Sequence, residues 1–73
     1  MQIFKVVGLN GITVHVEANN HNQAIQRAQS PLIIREFIRI IQESLSEITS
    51  VDPLRGPVHH VRALVFTDEF FNN

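Results

Sequence analysis

The chain has 73 residues, no cysteine and a formal net charge of −1. This length has room for one core, so we predict a single domain over 1–73, with 68–73 as a C-terminal tail. The lack of cysteine excludes disulfides and thiolate metal sites, and the charge excludes a chain-wide attraction to phosphate. Small domains without such supports are often stabilised by self-association, so we expect a homodimer.

The sequence predicts no contact with a membrane. The longest uncharged apolar runs, 32–34 and 63–66, are far shorter than the roughly 20 residues that span a bilayer. The residues after Met1 follow a strand-like pattern, without the basic region and long apolar run of a signal peptide. We therefore expect a cytoplasmic location.

Residues 2–8 and 12–18 predict two strands joined at Asn10-Gly11, a strong hairpin signal. The second strand alternates between apolar and polar positions, which indicates one buried face and one wet face. Its predicted buried side chains are Ile12, Val14, Val16 and Ala18.

Two registers fit this hairpin. With a two-residue loop, Phe4 and Val6 share a face with His15, away from the helices. With a three-residue loop and a bulge at Gly11, the same two side chains enter the core. We favour the bulged register because it buries phenylalanine and exposes Lys5.

Helices are predicted after the hairpin. Three asparagines in 19–22 offer an N-cap for a first helix over 20–29. Ser30-Pro31 then predicts the start of a second helix that runs to about residue 48, with one continuous helix kinked at Pro31 as the alternative. Apolar residues of the second helix cover an arc of roughly 160°, which indicates deep burial or a second contact surface.

The last third of the chain predicts a loop, a strand and a tail. Residues 49–57 contain two prolines and one glycine and are typical of a loop, and 58–67 predict a third strand. The resulting fold class is α+β, ββα(α)β, with a three-stranded, mainly antiparallel sheet and helices packed on one face. We place the first strand in the centre and the other two at the edges.

The third strand carries apolar side chains on both faces, so apolar area is predicted on the face away from the helices. Such a patch is typical of an interaction site. The alternative is that the tail folds back and Phe70 or Phe71 covers that face. The predicted contact residues are Leu64, Phe66, Phe70 and Phe71, with His60 and Arg62 at the rim.

No catalytic, cofactor or metal site is predicted, so we expect the protein not to be an enzyme. His59 and His60 are adjacent in a predicted strand and point to opposite faces, and no pair of histidines has the spacing of a metal site. The serines lack a nucleophile-elbow sequence. The four histidines do suggest an association that changes with pH.

The alternative function is nucleic-acid binding through Arg27, Arg35 and Arg39. Glutamates at positions 36, 43 and 47 are interleaved with these arginines and weaken a basic surface. We therefore rank this function second.

The segment Val16-Glu17-Ala18, followed by polar residues and Ala24-Ile25 and Ala28, forms a strand-to-helix pattern. In style it resembles short ββαβ proteins carried by phages and other mobile elements, some of which inhibit host defence systems. The resemblance names no family and transfers no functional residue. It implies a small protein-interaction module with an accessory, regulatory or inhibitory role, which is our leading hypothesis.

Overall fold

The computed structural model describes residues 1–35, 39–56 and 65–72, except for the side chains of Ile34 and Ile40. Within these ranges the chain forms four strands and four α-helices in the order ββαααββα. They are β1 (Gln2–Val7), β2 (Thr13–Ala18), α1 (His21–Ala28), α2 (Pro31–Ile34), α3 (Arg39–Leu45), β3 (Ser50–Pro53), β4 (Val65–Phe66) and α4 (Asp68–Phe71). The predicted α+β class is confirmed.

The sheet is mixed, with the strand order β3-β1-β2-β4. Strand β1 is antiparallel to β2 and β3, whereas β4 is parallel to β2. The predicted three-stranded sheet is therefore wrong in two respects: a strand forms inside the predicted loop 49–57, and β2 is central rather than at an edge. Proline tolerates a strand only where its missing N–H is not needed, and Pro53 meets this condition at the end of an edge strand.

The hairpin adopts the three-residue loop. The Gly8 N–H donates to the Ile12 carbonyl at 2.7 Å, which closes the loop around Leu9, Asn10 and Gly11. Asn10 and Gly11 have φ angles of 61° and 75°, a left-handed region that asparagine and glycine enter most easily.

This loop fixes which side chains face the core. Phe4 pairs with Val16 and Val6 pairs with Val14, so all four lie on one face, and each is buried. The predicted bulged register is confirmed. Lys5 lies on the opposite face and is exposed, as predicted.

Helices α1, α2 and α3 pack on the face that carries Phe4. They contribute Ala24 and Ala28 from α1, Ile33 from α2 and Leu45 from α3 to the same buried cluster. The two alanines are one helical turn apart, and their small side chains let α1 lie close to the strands. The Ser44 hydroxyl donates to the carbonyl of Leu9 and ties α3 to the hairpin loop.

Local capping explains where the first helices begin. The Asn20 side chain accepts from the Gln23 N–H at 2.8 Å, and the Ser30 hydroxyl accepts from the Leu32 N–H at 3.2 Å. Helix α1 ends at Ala28 and α2 starts at Pro31, so the chain is broken at this point and the kinked continuous helix is wrong. The predicted second helix runs too far, because α3 ends at Leu45.

The C-terminal residues differ from the prediction. Of the predicted strand 58–67, residues 58–64 lie outside the described ranges, and 65–66 form β4. The predicted tail instead contains a helical turn, α4. Asp68 and Glu69 in its first turn suit the positive end of the helix dipole.

Candidate interaction surface

Phe66, a predicted contact residue, lies in the core. It pairs with Val16 in the parallel β2–β4 ladder, so its side chain points to the helix-covered face, and it is 7% exposed. Its predicted place on the face away from the helices is wrong. The other predicted strand contacts, His60, Arg62 and Leu64, lie outside the described residues.

Phe70 and Phe71 pack beside Phe66. The ring centroids of Phe66 and Phe70 are 4.9 Å apart, and those of Phe70 and Phe71 are 5.2 Å apart. Both α4 rings are half-buried against the core cluster. The C-terminal segment therefore does fold back, but it joins the helix-covered side instead of covering the other face.

Arg27 holds this C-terminal turn in place. Its guanidinium donates to the Glu17 carbonyl at 2.7 Å and to the Asp68 carboxylate at 2.8 Å, and it lies 4.7 Å from the ring centroid of Phe71. The Glu17 carboxylate also accepts from the Asp68 N–H at 2.8 Å. The side chain of Arg27 is 12% exposed, so the prediction that it contacts phosphate is wrong.

The other two arginines of the nucleic-acid hypothesis lie on the surface. Arg35 is exposed at the end of α2. Arg39 donates to Glu43 at 3.1 Å across one turn of α3, and its side chain is 88% exposed. This carboxylate offsets the charge of Arg39, and Arg27 is engaged elsewhere, so the three predicted residues do not supply three free guanidinium groups.

The outer face of the sheet, opposite the helices, carries mixed chemistry. One row of paired residues crosses it in the order Asp52, Lys5, His15, Val65. By strand alternation, its remaining members are Ile3 and Val7 in β1, Thr13 and Glu17 in β2, and Ser50 in β3.

The two halves of the outer face differ in exposure. On the β1–β3 side, Lys5 and Asp52 are exposed and lie directly opposite each other, with Ile3 and Val7 half-buried on either side of Lys5. We call Ile3, Lys5, Val7, Ser50 and Asp52 the β1–β3 patch. On the β2–β4 side, by contrast, His15 is 7% exposed.

The imidazole of His15 is the unusual polar group of this face. Its Nδ1 is buried and has no hydrogen-bond partner among the residues that the structure describes. Burial, and secondarily the positive charge of Lys5 in the adjacent strand, lowers the pKa of His15 below its usual value of 6.5. The ring is therefore neutral near pH 7. Sequence reasoning missed this residue because its alternation placed His15 on a wet face.

The free edge of β3 is poorly suited to pairing with another strand. The Leu54 N–H donates to the Ile3 carbonyl at 2.8 Å, so by the alternation of an antiparallel ladder Val51 and Pro53 direct their backbone groups away from β1. Pro53 has no N–H to offer there. This edge therefore presents a short, interrupted row of donors.

Within the described ranges, no three histidine, aspartate or glutamate side chains lie close enough to share a metal ion. None of the helices in those ranges has the length and apolarity needed to cross a bilayer. Comparison with protein-family models, with curated proteins and with solved structures finds no match to this chain.

Proposed function

We propose that the protein is a small, non-enzymatic interaction module that pairs with a second copy of itself through the β1–β3 patch. The observation that supports this proposal is the exposed pair of opposite charges, Lys5 and Asp52, flanked by Ile3 and Val7. Because the patch carries both signs of charge beside apolar area, it is complementary to itself. An accessory, regulatory or inhibitory role would follow from such pairing.

A simple symmetry satisfies these charges. A two-fold axis that runs along the strands, midway between β1 and β3, places Lys5 of each copy over Asp52 of the other. Two ion pairs then form between the copies, with Ile3 and Val7 beside them. The same residues serve both partners, as a two-fold interface requires.

The patch is small, which sets the expected strength of the pairing. Five residues bury less than the roughly 800 Å² per partner of a standard interface. We therefore expect a weak dimer that forms as concentration rises, measurable by sedimentation equilibrium from about 10 µM to about 1 mM.

Charge reversal tests this arrangement in trans. Lys5→Glu leaves an acidic patch and Asp52→Lys leaves a basic one, so each variant alone is expected to be monomeric. An equimolar mixture of the two is expected to form heterodimers, because the opposite patches attract. Arg39→Glu, a reversal of equal size on α3, is the matched control and keeps the wild-type association.

Two results would overturn the proposal. One is a wild-type chain that stays monomeric over the whole concentration range. The other is a Lys5→Glu variant that associates as the wild type does, or as the Arg39→Glu control does, since pairing would then use a different surface.

A further inference from the structure

His15 lies between a long strand pairing and a short one. On one side, β1 and β2 are joined by six residue pairs, of which Lys5 with His15 is one. On the other side, β2 and β4 are joined by two pairs, His15 with Val65 and Val16 with Phe66. Any disturbance at His15 therefore acts on a ladder that is half composed of its own pair.

Protonation of His15 has no favourable partner in this setting. Lys5 faces it from β1 with a like charge, and Val65 faces it from β4 with no charge. Along β2 its neighbours on the same face are Thr13 and Glu17, and Asp52 lies beyond Lys5 in β3. A buried imidazolium without a hydrogen-bond partner must reach water or a carboxylate.

Both routes weaken the hold on the C-terminal segment. Water reaches the ring most easily by opening the two-pair ladder to β4, because opening toward β1 breaks six pairs. The nearest carboxylate along the strand, Glu17, already accepts the Asp68 N–H that starts α4. An imidazolium that attracts Glu17 therefore competes with α4 for the same oxygen atoms.

We propose that His15 is an acid-operated switch: on acidification, its protonation releases residues 65–72 from β2 while β1, β2 and α1 remain folded. Release exposes the three aromatic rings of Phe66, Phe70 and Phe71, which pack against the core in the neutral state. The device is independent of the β1–β3 patch, which lies on other strands.

The test uses one fluorescent reporter. The chain contains no tryptophan and no tyrosine, so Phe71→Trp introduces its only indole. Tryptophan keeps the stacking with Arg27, because it is the best aromatic partner for a cation. Between about pH 7.5 and pH 5.5, across the range in which histidine titrates, the emission should shift to longer wavelength and acrylamide quenching should increase. Far-UV circular dichroism should retain the signal of α1.

Control variants assign the transition to His15. In the reporter background, His15→Gln should abolish the emission change. His21→Gln, and the double change His59→Gln with His60→Gln, should preserve it. A transition that persists in the His15→Gln variant, or a loss of circular dichroism at the same pH as the emission change, would overturn the proposal.

A direct titration covers the case in which His15→Gln does not fold. The proton shift of the His15 imidazole in the reporter protein, followed by NMR, should have the same midpoint as the emission change. Different midpoints would contradict the switch. Sedimentation of the wild type at pH 7.5 tests pairing through the β1–β3 patch separately, so the two proposals can fail independently.

Discussion

The Arg27 guanidinium binds the Asp68 carboxylate at 2.8 Å across 41 positions of sequence. With the Glu17 carbonyl and the ring of Phe71, this ion pair connects α1, β2 and α4 around one side chain. Because the guanidinium is largely buried, solvent screens the pair less than an ion pair at the surface.

Replacement of Arg27 should destabilise the fold. Arg27→Ala leaves the Asp68 carboxylate and the Glu17 carbonyl without their donor, and we expect a loss of about 2 kcal/mol in the free energy of unfolding. Arg27→Lys should recover only part of it, since lysine cannot fork between two acceptors and stack on a ring. Urea denaturation measures both. Arg39→Ala is the surface control, expected to change stability by less than about 0.5 kcal/mol; equal effects at the two positions would contradict the assigned role of Arg27.

Phe66 should behave as a core residue rather than a contact residue. Phe66→Ala removes a buried ring, and such changes typically cost about 3–5 kcal/mol, a large part of the stability of a small domain. Loss of the cooperative thermal transition, or a large fall in its midpoint, is the expected observation. Leu32→Ala, at a side chain that is 38% exposed, is the matched control and should have a small effect. A Phe66→Ala variant as stable as this control would place the ring outside the core.

Acid should destabilise the protein through His15. Its pKa in the folded chain is lowered from 6.5, so the unfolded chain binds a proton more readily than the folded one. The contribution of the neutral ring is fully present above pH 6.5 and is lost as the pH falls from 6.5 toward the folded-state pKa. Each unit between the two pKa values corresponds to about 1.4 kcal/mol. Urea midpoints measured across this range should fall for the wild type and stay level for His15→Gln at the same pH values; parallel curves would exclude His15 as the source.

Two glycines of the hairpin should respond differently to alanine. A Cβ at Gly8 would clash with the backbone carbonyl of Ser44, whereas a Cβ at Gly11 would meet open space. Gly11→Ala should therefore cost only the left-handed backbone strain, about 1–2 kcal/mol, and Gly8→Ala should cost more because α3 must move. The difference in thermal midpoint checks this order. A reversed order would contradict the close packing of α3 on the hairpin.

The features that could be predicted from the sequence depend on short-range physics. The Asn10-Gly11 turn, the Asn20 cap and the Ser30 cap each involve residues within three positions of one another, so their residue types are sufficient. The hairpin register followed from burying Phe4 while exposing Lys5. These local rules also gave the α+β class.

The features that were missed depend on long-range pairing. Strand β3 was hidden because Pro53 is typical of a loop, and only its place at a sheet edge makes it acceptable in a strand. The side of the sheet that Phe66 faces is set by its pairing with Val16, fifty positions earlier, which alternation within the strand cannot reveal. The same limit applies to His15 and Arg27, whose environments are built by distant segments.

The missing N–H of Pro53 has a consequence for how copies of this chain can grow into larger assemblies. Fibrils extend when each new chain adds its strand to an edge with a full set of donors and acceptors. At the β3 edge that set is broken, so the addition of strand after strand is disfavoured at this margin. Face-to-face pairing about a two-fold axis, in contrast, closes after two copies and leaves nothing to propagate.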